Sequence, residues 1–208
     1  MAKKVTSLDI PFKDLDVEEQ IQWLIKQTNK VVKRLPELKE ALSVYDDKSN
    51  EMYNMEVNEI KLFTRSYAMD LATGDVSTDD SSLQDYIRQL SKYGDRGIGE
   101  LRLEATQNRI DSFLESLQIN ADEDEYEYVK DLLDKLTDKE KEAFTKSKLF
   151  WDSGEYASEG IEKFMDMYGV SPATANLENW LEQHGIETER RFYEEGETAK
   201  KRGRHKKK

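Results

Sequence analysis

The stretch IQWLIKQTNKVVKRLPELKEALSVY, residues 21–45, decides the fold that we predict for this chain. Residues spaced alternately three and four apart form one seam along it: Ile21, Leu24, Thr28, Val31, Leu35, Leu38, Leu42 and Tyr45. This heptad spacing predicts a long amphipathic helix that forms a helical hairpin or a coiled coil, and it allows self-association through the seam. Because Pro36 lies inside the pattern, we expect a kink or break there, between a helix over about residues 16–34 and another that starts near Pro36.

Helical spacing continues beyond the seam. An apolar stripe from Met52 to Leu71 predicts a helix that ends at Gly74, and further helices are expected over about residues 82–93 and 99–118. The first of these is expected to stop at Gly94. The glycines of KYGDRGIGE, residues 92–100, match neither nucleotide-binding fingerprint. They predict a hinge between helices.

No segment shows convincing strand alternation, so the predicted fold class is all-α. We expect a flexible segment over residues 1–15 and long amphipathic helices, as a hairpin or coiled coil, over residues 16–119. Aromatic side chains crowd into residues 140–185, which predicts a small acidic helical globule over residues 120–185 with a boundary near residue 120. Residues 186–208 are expected to form a helical extension and a disordered basic tail.

Within the globule, local signals mark the helix ends. The acidic run NADEDEYEY, residues 120–128, opens a helix and is predicted to be a solvated helix start, since its spacing fails the calcium-loop pattern. Thr137 and Glu140 match a capping box that opens a helix with Trp151 near its end. Ser171 and Pro172 open the last packed helix, which ends at Gly185.

Charge is distributed very unevenly along the chain. The formal net charge is −12, but the last ten residues, AKKRGRHKKK, carry seven cations and no acid, so residues 1–198 carry −19. Charge separation of this kind is informative about partners rather than about fold. The tail is predicted to bind DNA through Lys200, Lys201, Arg202, Arg204, Lys206, Lys207 and Lys208.

Composition argues against most enzyme classes. The chain has no cysteine and two histidines, His184 and His205, which leaves little material for a catalytic or metal site. We therefore predict no enzyme activity, no cofactor and no metal. Since no signal-peptide pattern and no apolar stretch of about 20 residues is present, we expect a cytoplasmic protein without a membrane partner.

The segment Ile161–Glu182 has the pattern of a helix-turn-helix, with Gly169 at the turn and Ser171 capping the second helix. This pattern supports one hypothesis, a DNA-associated regulator. The second helix offers Glu178 and Glu182 but no lysine or arginine for phosphates or guanine.

The segment YASEG, residues 156–160, follows long paired helices and lies in an acidic carboxyl-terminal half. Over about residues 100–185 the chain resembles the terminal proteins of small tailed bacteriophages, which start replication of linear genomes by protein priming. The resemblance implies that a loop hydroxyl replaces the primer 3′-OH, with Ser158 as the first candidate and Ser153, in WDSGE, as the second. Without the resemblance, Ser153 is a turn residue and Ser158 a helix cap.

The resemblance also implies partners and a location. They are a protein-primed family B DNA polymerase and DNA, in the host cytoplasm, with virion association once the protein is linked to DNA. An acidic domain suits the polymerase channel, whose basic walls normally grip a DNA duplex. The chain departs from the family at its amino terminus, where only Lys3 and Lys4 stand in place of the usual basic DNA-binding residues.

Three functions are therefore open on the sequence alone. The first is a protein primer. The second is a phage-type scaffolding or structural assembly protein, which would use the Ile21–Tyr45 seam as an intermolecular coiled coil. The third is the helix-turn-helix regulator.

Overall fold

The computed structural model describes residues 11–45, 50–153, 158–189 and 191–192. These residues form helices and connecting segments, with no strand among them, which confirms the all-α fold class. The chain divides into two compact units, one from Met1–Ser43 with Asp47–Leu101 and one from Val44–Asp46 with Arg102–Lys208. In the described part of the chain, no helix is both long and apolar enough to cross a membrane.

The first unit is built on three helices, α1 (Val17–Leu42), α2 (Val57–Thr73) and α3 (Ser81–Asp95), with α1 packed against the other two. Short 3₁₀ turns at Phe12–Asp14 and Met52–Asn54 precede α1 and α2. A capping box between Asp16 and Glu19 starts α1, because each side chain accepts a hydrogen bond from the other residue's backbone N–H. As predicted, α2 ends at Gly74, whose φ of 78° closes the helix in a left-handed conformation.

The predicted break at Pro36 is wrong, since α1 continues through this residue to Leu42. A proline inside a helix costs about 3 kcal/mol, because it removes one backbone hydrogen bond and its ring meets the preceding turn. Its neighbours Leu35 and Leu38 are 3% and 0% exposed. Burial of each leucine contributes roughly 1.5–3 kcal/mol, so packing on both sides of Pro36 offsets the cost.

The seam of α1 is buried inside the first unit, which corrects the prediction of self-association through it. Leu24, Val31 and Leu38 are 0% exposed, and Thr28 is 3% exposed. Helix α1 packs against α2 and α3 of the same chain. Only the last predicted member, Tyr45, is largely exposed among the seam residues, so the seam is not available as an intermolecular coiled coil.

A buried network of hydroxyls explains why the seam contains a threonine. The Oγ1 atoms of Thr28 and Thr64 lie 2.6 Å apart, and Thr64 Oγ1 lies 2.7 Å from the hydroxyl of Tyr86. The Tyr86 hydroxyl donates to the carbonyl of Ile60 at 2.8 Å. These bonds link α1, α2 and α3 at one level, and they satisfy polar groups that would otherwise be costly to bury.

The end of α3 lies slightly beyond the predicted stop at Gly94. The helix includes Gly94 and ends at Asp95. A Cβ added at Gly94 would lie 3.0 Å from Oε1 of Gln27, so the missing side chain lets α3 approach α1 closely. The chain leaves the helix at Arg96 and Gly97, and α4 (Ile98–Asn120) follows, which confirms the predicted interruption between helices.

The second unit contains the rest of α4 and five further helices among its described residues. They are α5 (Glu123–Asp134), α6 (Asp138–Thr145), α7 (Lys148–Asp152), α8 (Ser158–Tyr168) and α9 (Pro172–Gln183). The capping box of Thr137 and Glu140 is confirmed at the start of α6. The helix predicted to run from there to Trp151 is in fact two helices, because Ser147 caps α7 through a hydrogen bond from the backbone of Phe150.

Aromatic rings form the core of the second unit. The ring centroids of Phe113, Phe144 and Phe150 lie 5.3–5.7 Å apart, and Trp180 lies 5.4 Å from Phe144. Since Phe113 belongs to α4, the carboxyl-terminal part of α4 packs in this core together with α5, α7 and α9. This packing places the boundary between Leu101 and Arg102, which differs from the boundary predicted near residue 120.

The predicted helical extension after Gly185 is wrong for the described residues 186–189 and 191–192, which are not helical. Phe192 is instead buried, at 6% exposed, in a small cluster with Val170 and Ala175. We call the described residues 186–189 and 191–192 the return segment. The predicted basic tail lies outside the described residues.

Candidate functional site

The second candidate hydroxyl, Ser153, lies directly after α7. Its side chain is half-buried, and its Oγ donates a hydrogen bond to the carbonyl of Phe150. This bond satisfies a carbonyl at the carboxyl end of a short helix, which agrees with the interpretation of Ser153 as a turn residue. The hydroxyl is already engaged in the structure.

Helix α7, which Ser153 directly follows, is packed into the core of the second unit. Phe150 is 8% exposed, and its ring lies 5.4 Å from that of Phe113. The indole Nε1 of Trp151 donates to the carbonyl of Thr145 at 3.1 Å. Ser153 therefore follows a firmly packed helix.

The first candidate, Ser158, is the first residue of α8, and its side chain lies outside the described part of the structure. The opposite end of α8 is held by rings. The centroid of Phe164 lies 4.6 Å from that of Tyr168 and 6.0 Å from that of Phe192, and the Tyr168 and Phe192 centroids are 5.4 Å apart. The two serines thus lie at the ends of two anchored helices.

The helix predicted to read DNA, α9, is largely buried. Leu177 and Leu181 are 0% exposed, Trp180 is 2% exposed and Glu178 is 1% exposed. A recognition helix must present an exposed face of several side chains to the bases. Because most residues of α9 are buried, the interpretation of α8 and α9 as a DNA-reading helix-turn-helix is wrong. Gly169 and Ser171 do form the predicted turn and cap.

Glu178 binds the return segment to the globule. Its Oε1 accepts hydrogen bonds of 2.6 Å from the backbone N–H of Arg191 and from the hydroxyl of Tyr128, and its Oε2 accepts one of 2.6 Å from the N–H of Phe192. The Tyr128 hydroxyl also lies 2.8 Å from the carbonyl of Glu189. A buried carboxylate with three donors is well satisfied, so Glu178 acts as a clasp on residues 189–192.

The contacts of Tyr128 with Glu178 and Arg191 affect the pKa of its phenol. Burial raises the pKa of its phenol above the ordinary value, and the hydrogen bond to Glu178 raises it further, since the negative carboxylate disfavours a phenolate beside it. The guanidinium of Arg191 lies 4.0 Å from the centroid of the Tyr128 ring, a cation–π contact. Tyr128 therefore stays protonated and serves as a donor.

The acidic run of α5 is more than a solvated helix start, which corrects the prediction for one of its members. Glu125 is 5% exposed, and its Oε1 accepts a hydrogen bond of 2.7 Å from the backbone N–H of Ser171 and another from the hydroxyl of Thr174. The carboxylate thus satisfies donors at the amino end of α9 and benefits from the helix dipole there. Asp122 caps α5 by accepting from the N–H of Glu125.

Sequence reasoning missed both buried glutamates, although a signal was present. Glu178 lies three residues after Ala175 and three before Leu181, and Glu125 lies four residues before Val129. Helical spacing places each acid on an apolar face. An acid on such a face indicates a buried carboxylate with partners.

The described residues contain no group of three or more histidines, aspartates or glutamates arranged to hold a metal ion. The predicted DNA-binding residues, Lys200–Lys208, lie outside the described residues. In comparisons with known proteins, no family model, no curated protein and no solved structure matches this chain.

Proposed function

We propose that this protein is a primer for DNA replication, in which a serine hydroxyl of the second unit receives the first nucleotide from a DNA polymerase. The observation that carries the proposal is the placement of the two serines on anchored helices. Ser153 directly follows α7 and Ser158 starts α8, and both helices are packed by aromatic rings. A priming hydroxyl needs such support, because it must be held in line with the nucleotide for transfer.

Charge on the second unit supports the same function. The exposed residues of α5 include five carboxylates: Glu123, Asp124, Glu127, Asp131 and Asp134. A polymerase channel that grips duplex DNA presents basic walls, and an acidic helical unit is complementary to them. The body of the chain thus has the charge that a substitute for duplex DNA requires.

The transfer step needs only a nucleophile from this chain. Serine Oγ attacks the α-phosphorus of a deoxynucleoside triphosphate, an Oγ–P bond forms, and the bond to the pyrophosphate leaving group breaks. The hydroxyl proton passes to a base or water molecule of the polymerase site. Two metal ions of the polymerase activate the oxygen and stabilise the charge of the pyrophosphate.

Of the two hydroxyls, Ser158 is the better candidate. Ser153 Oγ donates to the carbonyl of Phe150 and is half-buried, so its use as a nucleophile would remove a hydrogen bond from the end of α7. Ser158 starts the next helix, within the YASEG segment that carries the resemblance.

The alternatives have lost the features on which they depended. The scaffolding hypothesis used the α1 seam as an intermolecular coiled coil, and that seam is buried within the first unit. The regulator hypothesis used α9 to read DNA, and α9 is largely buried. These findings favour the primer.

The direct experiment is a nucleotide-transfer reaction with the full chain, a protein-primed family B polymerase, a divalent metal and each of the four labelled deoxynucleoside triphosphates. We expect covalent label on the protein, lost in Ser158→Ala and retained in Ser158→Thr. Ser153→Ala tests the second candidate. Ser112→Ala is the matched control, because Ser112 is exposed on α4 of the same unit. Label that survives both Ser158→Ala and Ser153→Ala, or no label with any nucleotide, would refute the proposal.

The basic tail is proposed to hold DNA near the priming site. With seven cations in residues 199–208, the logarithm of the binding constant for duplex DNA should fall with the logarithm of salt concentration with a slope of about −6. Deletion of Lys200–Lys208 should abolish this binding. The proposed location is the host cytoplasm, and the virion once the protein is linked to DNA.

A further inference from the structure

A groove of about 640 Å³ lies on the second unit, between α5, the start of α6 and the return segment. Its apolar lining comes from Leu132, Leu136, Leu181 and Ile186. Its charged lining comes from Asp131, Lys135, Glu140, Glu187 and Glu189. Four carboxylates against one ammonium make the groove attractive to cations.

An apolar floor with an acidic rim fits one kind of side chain especially well. Lysine and arginine have long aliphatic stems that pack on apolar surface, and a charged head that reaches a carboxylate at the edge. The occupant that this lining selects is therefore a segment rich in lysine and arginine.

The chain itself contains such a segment. Ala199–Lys208 carries seven cations and no acid. Its attachment point is fixed beside the groove, because the hydroxyl of Tyr128, a lining residue, lies 2.8 Å from the carbonyl of Glu189, and Glu178 accepts a hydrogen bond from the N–H of Phe192. Six residues separate Phe192 from Ala199, and an extended chain of that length spans about 20 Å, which is enough to return to the groove.

We propose that Ala199–Lys208 docks in this groove when DNA is absent, so that the groove and DNA compete for the same cations. The inference rests on the proposed DNA-binding role of the tail and adds its regulation. While the tail is docked, its cations do not bind nucleic acid. DNA, a dense polyanion, displaces the tail from the groove. The Glu178 clasp favours docking, because it keeps the chain that leads to the tail beside the groove.

Zero-length crosslinking of the full chain, without DNA or polymerase, tests the docked state. A carbodiimide joins lysines to carboxylates in direct contact, and mass spectrometry of the peptides locates the pairs. We expect the tail lysines to link to Asp131, Glu187 and Glu189 at low salt, and to lose these links at about 0.5 M salt. Asp131 is the most informative partner, because it lies far from the tail in sequence.

The inference is overturned if the tail lysines form no links, or link equally to Glu18, Glu37 and Glu40, three exposed acids of α1. These acids carry the same charge without a groove, so equal labelling would mean nonspecific attraction.

DNA binding tests the competition. If the tail is docked about nine-tenths of the time, neutralising the groove raises affinity for DNA about tenfold. The variant is Asp131→Asn/Glu187→Gln/Glu189→Gln, and the matched control is Glu18→Gln/Glu37→Gln/Glu40→Gln, which removes the same charge elsewhere. Equal gains in the two triple variants would contradict competition by the groove.

The two proposals fail separately. Crosslinks to Asp131 without nucleotide transfer would leave the docked tail standing and remove the primer. Nucleotide transfer to Ser158 without crosslinks to Asp131 would support the primer and refute the docked tail.

Discussion

The carboxylate of Glu178 accepts a 2.6 Å hydrogen bond from the backbone N–H of Phe192, fourteen residues further along the chain. The bond is buried, and Glu178 itself is 1% exposed on α9. It holds a segment without regular secondary structure on a helical globule. One buried acid therefore holds the chain in place at Phe192.

Glu178→Gln should loosen this clasp. The amide has one oxygen in place of two, so at least one donor among Arg191, Phe192 and Tyr128 loses its acceptor. We expect the free energy of unfolding of the second unit to fall by about 2 kcal/mol, measured by urea denaturation followed by tryptophan fluorescence. Trypsin should also cut faster after Arg191.

Glu162→Gln is the control for this variant, because Glu162 is exposed on α8, and its effect should stay within about 0.5 kcal/mol. Equal cleavage rates after Arg191 in the unmodified chain and Glu178→Gln would show that the clasp does not hold the segment.

The protonation state of Tyr128 should make the second unit sensitive to alkali. Because its folded pKa is raised, the contribution of Tyr128 to stability is fully present below the unfolded value of about 10 and is lost as pH rises above it. Tyr128→Phe lacks the titrating group. The stability difference between the unmodified chain and Tyr128→Phe should therefore shrink between pH 9 and pH 11, as measured by urea denaturation at each pH. A difference that stays constant over this range would argue against a buried neutral phenol.

Glu125→Ala should be much more harmful than Glu127→Ala. Removal of the Glu125 carboxylate leaves the N–H of Ser171 and the hydroxyl of Thr174 without this acceptor at the buried start of α9. We expect a loss of about 2–3 kcal/mol in the free energy of unfolding. Glu127 is exposed on the same helix and carries the same charge, so its removal should cost less than about 0.5 kcal/mol. Similar losses in urea denaturation would mean that only the charge matters.

Two glycines of the first unit should respond in opposite directions. Gly99 is in the first turn of α4 with no heavy atom within 4 Å of an added Cβ, so Gly99→Ala should stabilise the helix by about 0.5 kcal/mol. At Gly94 the added methyl meets Gln27, whose Nε2 is held by Asp95 at 2.9 Å. Gly94→Ala should therefore destabilise. Amide hydrogen exchange in peptides from α3 and α4 measures the local stability change in each variant. Stabilisation by Gly94→Ala would mean that α1 and α3 are less closely packed at Gly94.

Much of the fold could be predicted because the deciding signals are local. The stop at Gly74, the capping box at Thr137 and the cap at Ser171 each depend on a few adjacent residues, and all three are present. Helical periodicity likewise gave the all-α class. The continuation of α1 through Pro36 could not be predicted, since it depends on α2 and α3 covering Leu35 and Leu38.

The candidate site shows the same division. The predicted turn at Ser153 was readable from the local sequence. The partners of Glu125 and Glu178 were not, because they lie 46 and 14 residues away along the chain. Long-range hydrogen bonds of this kind depend on tertiary packing, which periodicity does not report.

The proposed function requires that Ser158 or Ser153 become covalently joined to a nucleotide. Intact-protein mass spectrometry after incubation with polymerase, metal and nucleotides, followed by peptide mapping, measures this directly. We expect a gain of one nucleoside monophosphate on the peptide that contains Ser158, and no such gain in Ser158→Ala. An unchanged mass with every nucleotide, or a modification mapped outside residues 153–158, would contradict it.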